Sequence, residues 1–163
     1  MSISDRSILP SIHLLSLALA AAAISTVGCT GMFGMGGPAN VAPLVARPGC
    51  SLWSGTTRGN DPLAHIELEL CPVEPRSREV MGRVQLTSER SGWSVREVEG
   101  AFGDDGTLEL HEYQFDVKAP EFGWMFCLID EYELRPSGSR GMVGHYESKA
   151  CSDRAKVKLV RVK

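Results

Sequence analysis

Polar and apolar residues alternate along most of the chain beyond Cys50. In AHIELEL, Ala64, Ile66, Leu68 and Leu70 interleave with His65, Glu67 and Glu69. EVMGRVQLT puts Val80, Gly82, Val84 and Leu86 on one face, and FGWMFCLIDEYEL does the same with Trp124, Phe126, Leu128, Asp130, Tyr132 and Leu134. RGMVGHYES and AKVKLVRVK close the chain with the same period. Successive side chains of a strand point to opposite faces, so a period of two predicts half-buried strands. Asp104-Asp105-Gly106 marks a hairpin turn, and in the strand that follows, the apolar phase slips between Leu110 and Tyr113, as a bulge would produce. No segment longer than a turn or two carries a helical period. The expected fold is all-β, an antiparallel meander of about seven or eight strands. A small β-barrel is expected, with a two-sheet sandwich as the alternative. Gly100 with Phe102 and Gly144 with Tyr146 sit inside strands, where glycine weakens a strand unless a bend requires it; a strongly coiled small barrel needs such bends.

The first 49 residues break this pattern. Ile12 to Ile24 is an apolar run interrupted only by His13 and Ser16, too short for the roughly 20 residues of a membrane-spanning helix. Followed by small residues, it reads as a secretory signal peptide over 1–28. Thr30 to Gly49 holds five Gly and three Pro without periodicity. Residues 29–49 are therefore expected to form a flexible tether with a reach of about 25 Å, the alternative being that Val41 to Ala46 packs onto the domain. Residues 50–163 remain as one β domain.

The junction Thr26-Val27-Gly28-Cys29 resembles the lipobox of bacterial lipoproteins. The resemblance implies cleavage before Cys29, acylation of its thiol and new amino group, and attachment to a membrane through that lipid. Such a protein resides in the cell envelope. Thr30, in place of the Asp that would retain an enterobacterial lipoprotein elsewhere, points to the outer membrane, facing the periplasm or the cell surface. Cysteine parity fits this reading. Of five cysteines, lipidation of Cys29 leaves Cys50, Cys71, Cys127 and Cys151, which in an exported chain read as two disulfides. Three pairings are open; Cys50–Cys71 and Cys127–Cys151 are favoured because each closes a hairpin-sized loop.

Little in the chain suggests catalysis. There is no Gly-x-Ser-x-Gly, no His-Glu-x-x-His and no Cys-x-x-Cys, and neither an enzyme activity nor a cofactor is expected. His65, His111 and His145 lie at strand positions near a Glu, but read as exposed polar-face residues, so no metal site is expected. Asp104-Asp105-Gly106 lacks the ligand spacing of a calcium loop. Asp130 shares a face with Trp124, Phe126 and Tyr132; were that face interior, Asp130 would be the polar anchor of an aromatic-lined pocket. Trp53 in SLWSGT, together with the in-strand glycines, is similar to the calycin group of small β-barrels that includes the lipocalins. That resemblance implies a ligand cavity.

Charge changes the picture only slightly. The net charge is −3, and with an exported address this argues against nucleic-acid binding. Eleven acidic residues against Lys118 alone lie between Glu97 and Glu133, and six basic residues against Asp153 between Lys149 and Lys163. The last-strand lysines read as guards of an open sheet edge. Two functions follow. One is a tethered binder of a small apolar or amphipathic ligand, using Trp124, Phe126, Asp130 and Tyr132. The other is an interaction module for an envelope protein, for example an inhibitor of a basic enzyme, presenting Glu109, Glu112 and Glu121.

Overall fold

A computed structural model describes residues 41–59, 63–127 and 130–163, the side chain of Asp130 excepted. The expected signal peptide, the lipobox-like junction and Cys29 lie outside the described residues. Eight strands follow in order: β1 (Ser51–Gly59), β2 (Ala64–Pro72), β3 (Glu79–Ser88), β4 (Gly92–Phe102), β5 (Leu108–Pro120), β6 (Asp130–Ser137), β7 (Gly141–Ser148) and β8 (Asp153–Arg161). Each pairs antiparallel with its sequence neighbour, and β1 pairs with β8, closing an all-β barrel. Closure, with Gly55 opposite Leu159 and Thr57 opposite Val157, decides against the sandwich. It also removes the edge that Lys156 and Lys158 were expected to guard, since β8 is hydrogen-bonded on both sides.

The alternation sorts the side chains as expected. Ile66 and Leu68 of β2, Val84 of β3, Val98 of β4, Leu108 of β5, Leu134 of β6 and Leu159 of β8 form one interior cluster, which Trp53, Leu86 and Phe102 join from its margins. Burying each large aliphatic side chain stabilises the fold by about 1.5–3 kcal/mol. Coiling this tightly brings backbones close. A Cβ on Gly100 would lie 1.9 Å from the Glu109 carbonyl oxygen, and one on Gly144 would lie 1.8 Å from that of Glu133. Only glycine fits at either position.

Two register shifts between β4 and β5 leave Tyr113 and Asp116 unmatched on β5. The expected slip therefore has two sources. Glu112 keeps the interior phase of Leu108 and Leu110 and is fully buried; the chain then bulges at Tyr113.

Residues 41–49, which fall within the segment expected to be a flexible tether, are packed onto the barrel. Val41 to Gly49 lies against the outer face of β2 and β3, as the alternative reading held. The Leu44 amide donates to Glu67 Oε2 at 2.7 Å and the Arg47 amide to Glu69 Oε1 at 2.6 Å. Gln85 Nε2 donates to the Ala42 carbonyl at 3.3 Å. Leu44 and Ala46 are buried, and the Cys50–Cys71 disulfide fixes the end of this strap to β2. Glu67 and Glu69, on the polar face of a strand, are buried for that reason.

Candidate functional site

The two ends of the barrel differ. Around Leu70, Val80, Leu108, Leu134, Met142 and Leu159 the interior is packed with buried apolar side chains. Toward the opposite end it opens into a cavity of about 340 Å³, within the range of small-molecule pockets. Its wall includes Thr57 of β1, Ala64 of β2, Leu86 and Ser88 of β3, Arg96 of β4, Tyr146 and Ser148 of β7, and Asp153 and Ala155 of β8.

Trp124, Met125, Phe126 and Cys127 complete the wall, though not from a strand. Of the expected strand face from Trp124 to Leu134, the second half forms, with Tyr132 and Leu134 turned to the interior in β6, whereas Trp124 to Cys127 is not strand. β5 ends at Pro120, which cannot donate to a ladder. A turn follows, with Gly123 at φ 83° and the Trp124 amide bonded to the Glu121 carbonyl at 3.0 Å. Among the described residues, strand structure resumes at Asp130. The Glu121 amide donates to the Ser91 carbonyl at 3.1 Å, and Cys127 is joined to Cys151 in the β7–β8 turn. These two ties hold the loop beside the mouth.

The floor carries a buried ion pair that sequence reasoning missed. Arg96 donates through one terminal nitrogen to both Glu112 oxygens, at 2.9 and 2.8 Å, and through Nε to Ser94 Oγ at 3.1 Å. Tyr132 donates its hydroxyl to Glu112 Oε1 at 2.7 Å. The guanidinium also lies 5.2 Å from the centre of the Phe115 ring and 5.7 Å from that of Phe126. Buried charges survive only when paired and hydrogen-bonded, and these are. A signal for both residues was present. Arg96 is in phase with the interior positions Val98 and Gly100, and Glu112 with Leu108 and Leu110.

The site residues expected from the sequence are thus divided. Trp124 and Phe126 line the cavity. Tyr132 is buried in the core beneath it, 5.7 Å from Tyr146 between ring centres, and is not part of its wall. Asp130 opens β6 opposite Ser148, and its side chain lies outside the described residues. Polar side chains of the wall include Thr57, Ser88, Arg96, Tyr146, Ser148 and Asp153. Tyr146 donates its hydroxyl to Asp153 Oδ2 at 2.9 Å.

Outside the barrel, His111 lies 3.0 Å from Glu99, His65 is 3.4 Å from Ser54 Oγ, and His145 pairs with Glu133 across β6 and β7. The three histidines do not converge. Among the described residues the only close group of potential metal ligands is Cys50, Glu69 and Cys71, and its two sulfurs are joined in a disulfide. Asp105 accepts hydrogen bonds from the Thr107 amide and hydroxyl at 2.9 and 2.8 Å. They hold its carboxyl below the usual range and build a hairpin turn. Glu112 cannot belong to an acidic binding face, because it points into the barrel and is fully buried.

No protein-family model matches this chain, and no curated protein sequence is similar to it.

Proposed function

We propose that this chain is an exported lipoprotein, held to a membrane of the cell envelope through acylated Cys29, whose barrel binds a small apolar or amphipathic ligand. The observation that carries the binding role is the cavity at one end of an otherwise packed barrel. Its wall combines the apolar and aromatic side chains of Leu86, Trp124 and Phe126 with hydroxyl-bearing ones such as Thr57, Ser88 and Tyr146, a mixed lining that suits an amphipathic ligand. Leu63, Phe122 and Met125 are exposed large apolar residues; Phe122 and Met125 belong to the loop at the mouth, and Leu63 immediately precedes β2, giving an apolar approach. Two disulfides support export, since such bonds persist in oxidising compartments. With four cysteines paired, Cys29 is the remaining one of five, as acylation requires.

The role is that of a binder rather than an enzyme. A second reading, a module for a basic envelope protein, draws on the outer wall of β5, β6 and β7, where Glu109, Glu131, Glu133 and Glu147 lie together. The first reading is tested by the fluorescence of N-phenyl-1-naphthylamine, a neutral dye that brightens in apolar surroundings. The full chain brightens the dye, and Ala155→Trp, which fills the cavity from β8, abolishes this while the far-ultraviolet circular dichroism stays unchanged. Equal brightening by both proteins refutes it.

A further inference from the structure

Resting on the reading of Cys29 as a lipid anchor, the course of the strap orients the barrel. Strap and β2 run in the same direction. Ala42 is bonded to Gln85, Leu44 to Glu67, Arg47 to Glu69, and Cys50 is joined to Cys71. Gln85 and Glu67 are register partners, and β2 starts beside the cavity at Ala64 and reaches the packed end at Leu70. The chain therefore comes onto the barrel on the cavity side and descends toward the closed end. Residues 30–40, eleven in number, separate Cys29 from Val41. A Gly-rich chain of that length has a root-mean-square reach of about 20 Å, whereas the nine residues of β2 span about 30 Å. An anchor on Cys29 thus favours the mouth over the closed end as the part beside the membrane.

The two ends also differ in what they present. Leu63 precedes β2, and Phe122 and Met125 lie in the loop after β5; all three are exposed, Phe122 fully and Met125 at 80%. The β1–β2 and β5–β6 connections stand on opposite sides of an eight-stranded barrel, so apolar groups flank the mouth from both sides. The charges of the described loops at that end, Glu89, Arg90, Glu121 and Lys149, cancel. The turns of the closed end carry Glu74, Arg76, Arg78, Asp104, Asp105 and Arg140, with Val73 and Val162 about half exposed there. Apolar side chains gain by entering the headgroup–acyl boundary of a bilayer, while charges lose by leaving water. Trp124 is half-buried in the mouth loop, and tryptophan rings suit the water–lipid boundary.

We propose that the open end of the barrel docks on the lipid bilayer, with Leu63, Phe122 and Met125 set into its surface, so that an apolar ligand passes between bilayer and cavity without crossing water. A protein covering the same rim is the rival occupant. For the test, the full chain, purified with its lipid, is reconstituted into phosphatidylcholine vesicles with or without bromine on the acyl chains, which quenches tryptophan on contact. Phe122→Trp and, at the closed end, Val73→Trp each add a reporter at an exposed site to the background of Trp53, Trp93 and Trp124. The emission added by Phe122→Trp is expected to be blue-shifted relative to that added by Val73→Trp and to lose most of its intensity in brominated vesicles, while Val73→Trp keeps its intensity. No quenching at Phe122→Trp, or equal quenching at both ends, overturns the docking. A blue shift at Phe122→Trp without quenching also overturns it and assigns the rim to a protein. The mass of the same sample reports the lipid on Cys29 separately. An acylated chain unquenched at Phe122→Trp refutes the docking and leaves the anchor standing, whereas a chain that bears no lipid and stays off the vesicles removes both.

Discussion

Replacing Arg96 by methionine removes the positive partner of Glu112 while keeping most of the side-chain volume. Both side chains are out of solvent, at 4% and 0% exposure. The substitution leaves the Glu112 carboxylate in the interior with the Tyr132 hydroxyl but without the Arg96 charge, and removing one member of a buried pair costs about 3–5 kcal/mol. The contacts with Phe115 and Phe126 are lost as well, worth about 0.5–2 kcal/mol. For a domain of this size the midpoint of thermal unfolding should fall by roughly 10–25 °C. The companion change, Glu112→Leu, should cost a similar amount. Their combination should not. Once both charges are gone the apolar pair spares the desolvation of both, so the double variant should unfold within about 1 kcal/mol of the parent, or be more stable. Urea unfolding of the parent, both single variants and the double variant, with disulfides intact, yields the coupling energy directly. Single-variant costs below about 1 kcal/mol, or a double variant that loses the sum of the two, would refute the reasoning that this pair is buried and mutually dependent.

Two other outcomes test the parts around the site. Glu69 is buried beneath the strap; desolvation raises its pKa, but hydrogen bonds from Arg83 and Arg47 outweigh that and hold it below the usual carboxylate value. A group whose folded pKa is depressed contributes its stability fully above the unfolded value, near 4.5, and loses it as pH falls through the lower folded value. Unfolding free energy measured from pH 7 down to pH 3 should therefore decline, and Glu69→Gln should flatten that decline while lowering stability at pH 7. Removing the second disulfide with Cys127→Ser and Cys151→Ser opens a loop with a sequence separation of 24. It should cost about 3 kcal/mol, and, because this bond holds the Trp124–Phe126 segment at the mouth, should weaken dye binding more than the equivalent change at Cys50 and Cys71.

The strands were legible because each half-buried strand carries its own period. The in-strand glycines and the favoured cysteine pairing were legible for similarly local reasons. Closure into a barrel was legible through the in-strand glycines, but the register in which β1 meets β8 was not, since no local pattern records how distant strands align after a sheet coils. Glu67 and Glu69 looked like a wet face because alternation reports which side a residue takes; that the strap from Val41 to Gly49 covers the side depends on distant chain. Arg96 and Glu112 were hidden by their charge, although the period of their neighbours points inward. The period from Trp124 to Leu134 reported a strand correctly from Asp130, where Tyr132 and Leu134 face inward in β6, but Trp124 to Cys127 keeps the spacing without forming strand. Pro120 and Gly123 end the ladder, and the tie from Cys127 to Cys151 sets the path instead. Trp124 and Phe126 nevertheless reach the cavity, from a loop.

The most direct test of the account is native mass spectrometry of the protein purified from the cells that make it. The cavity reading predicts a complex that loses one small-molecule mass on denaturation, leaving a lipid-bearing chain with two disulfides. A native mass identical to the denatured one would contradict it.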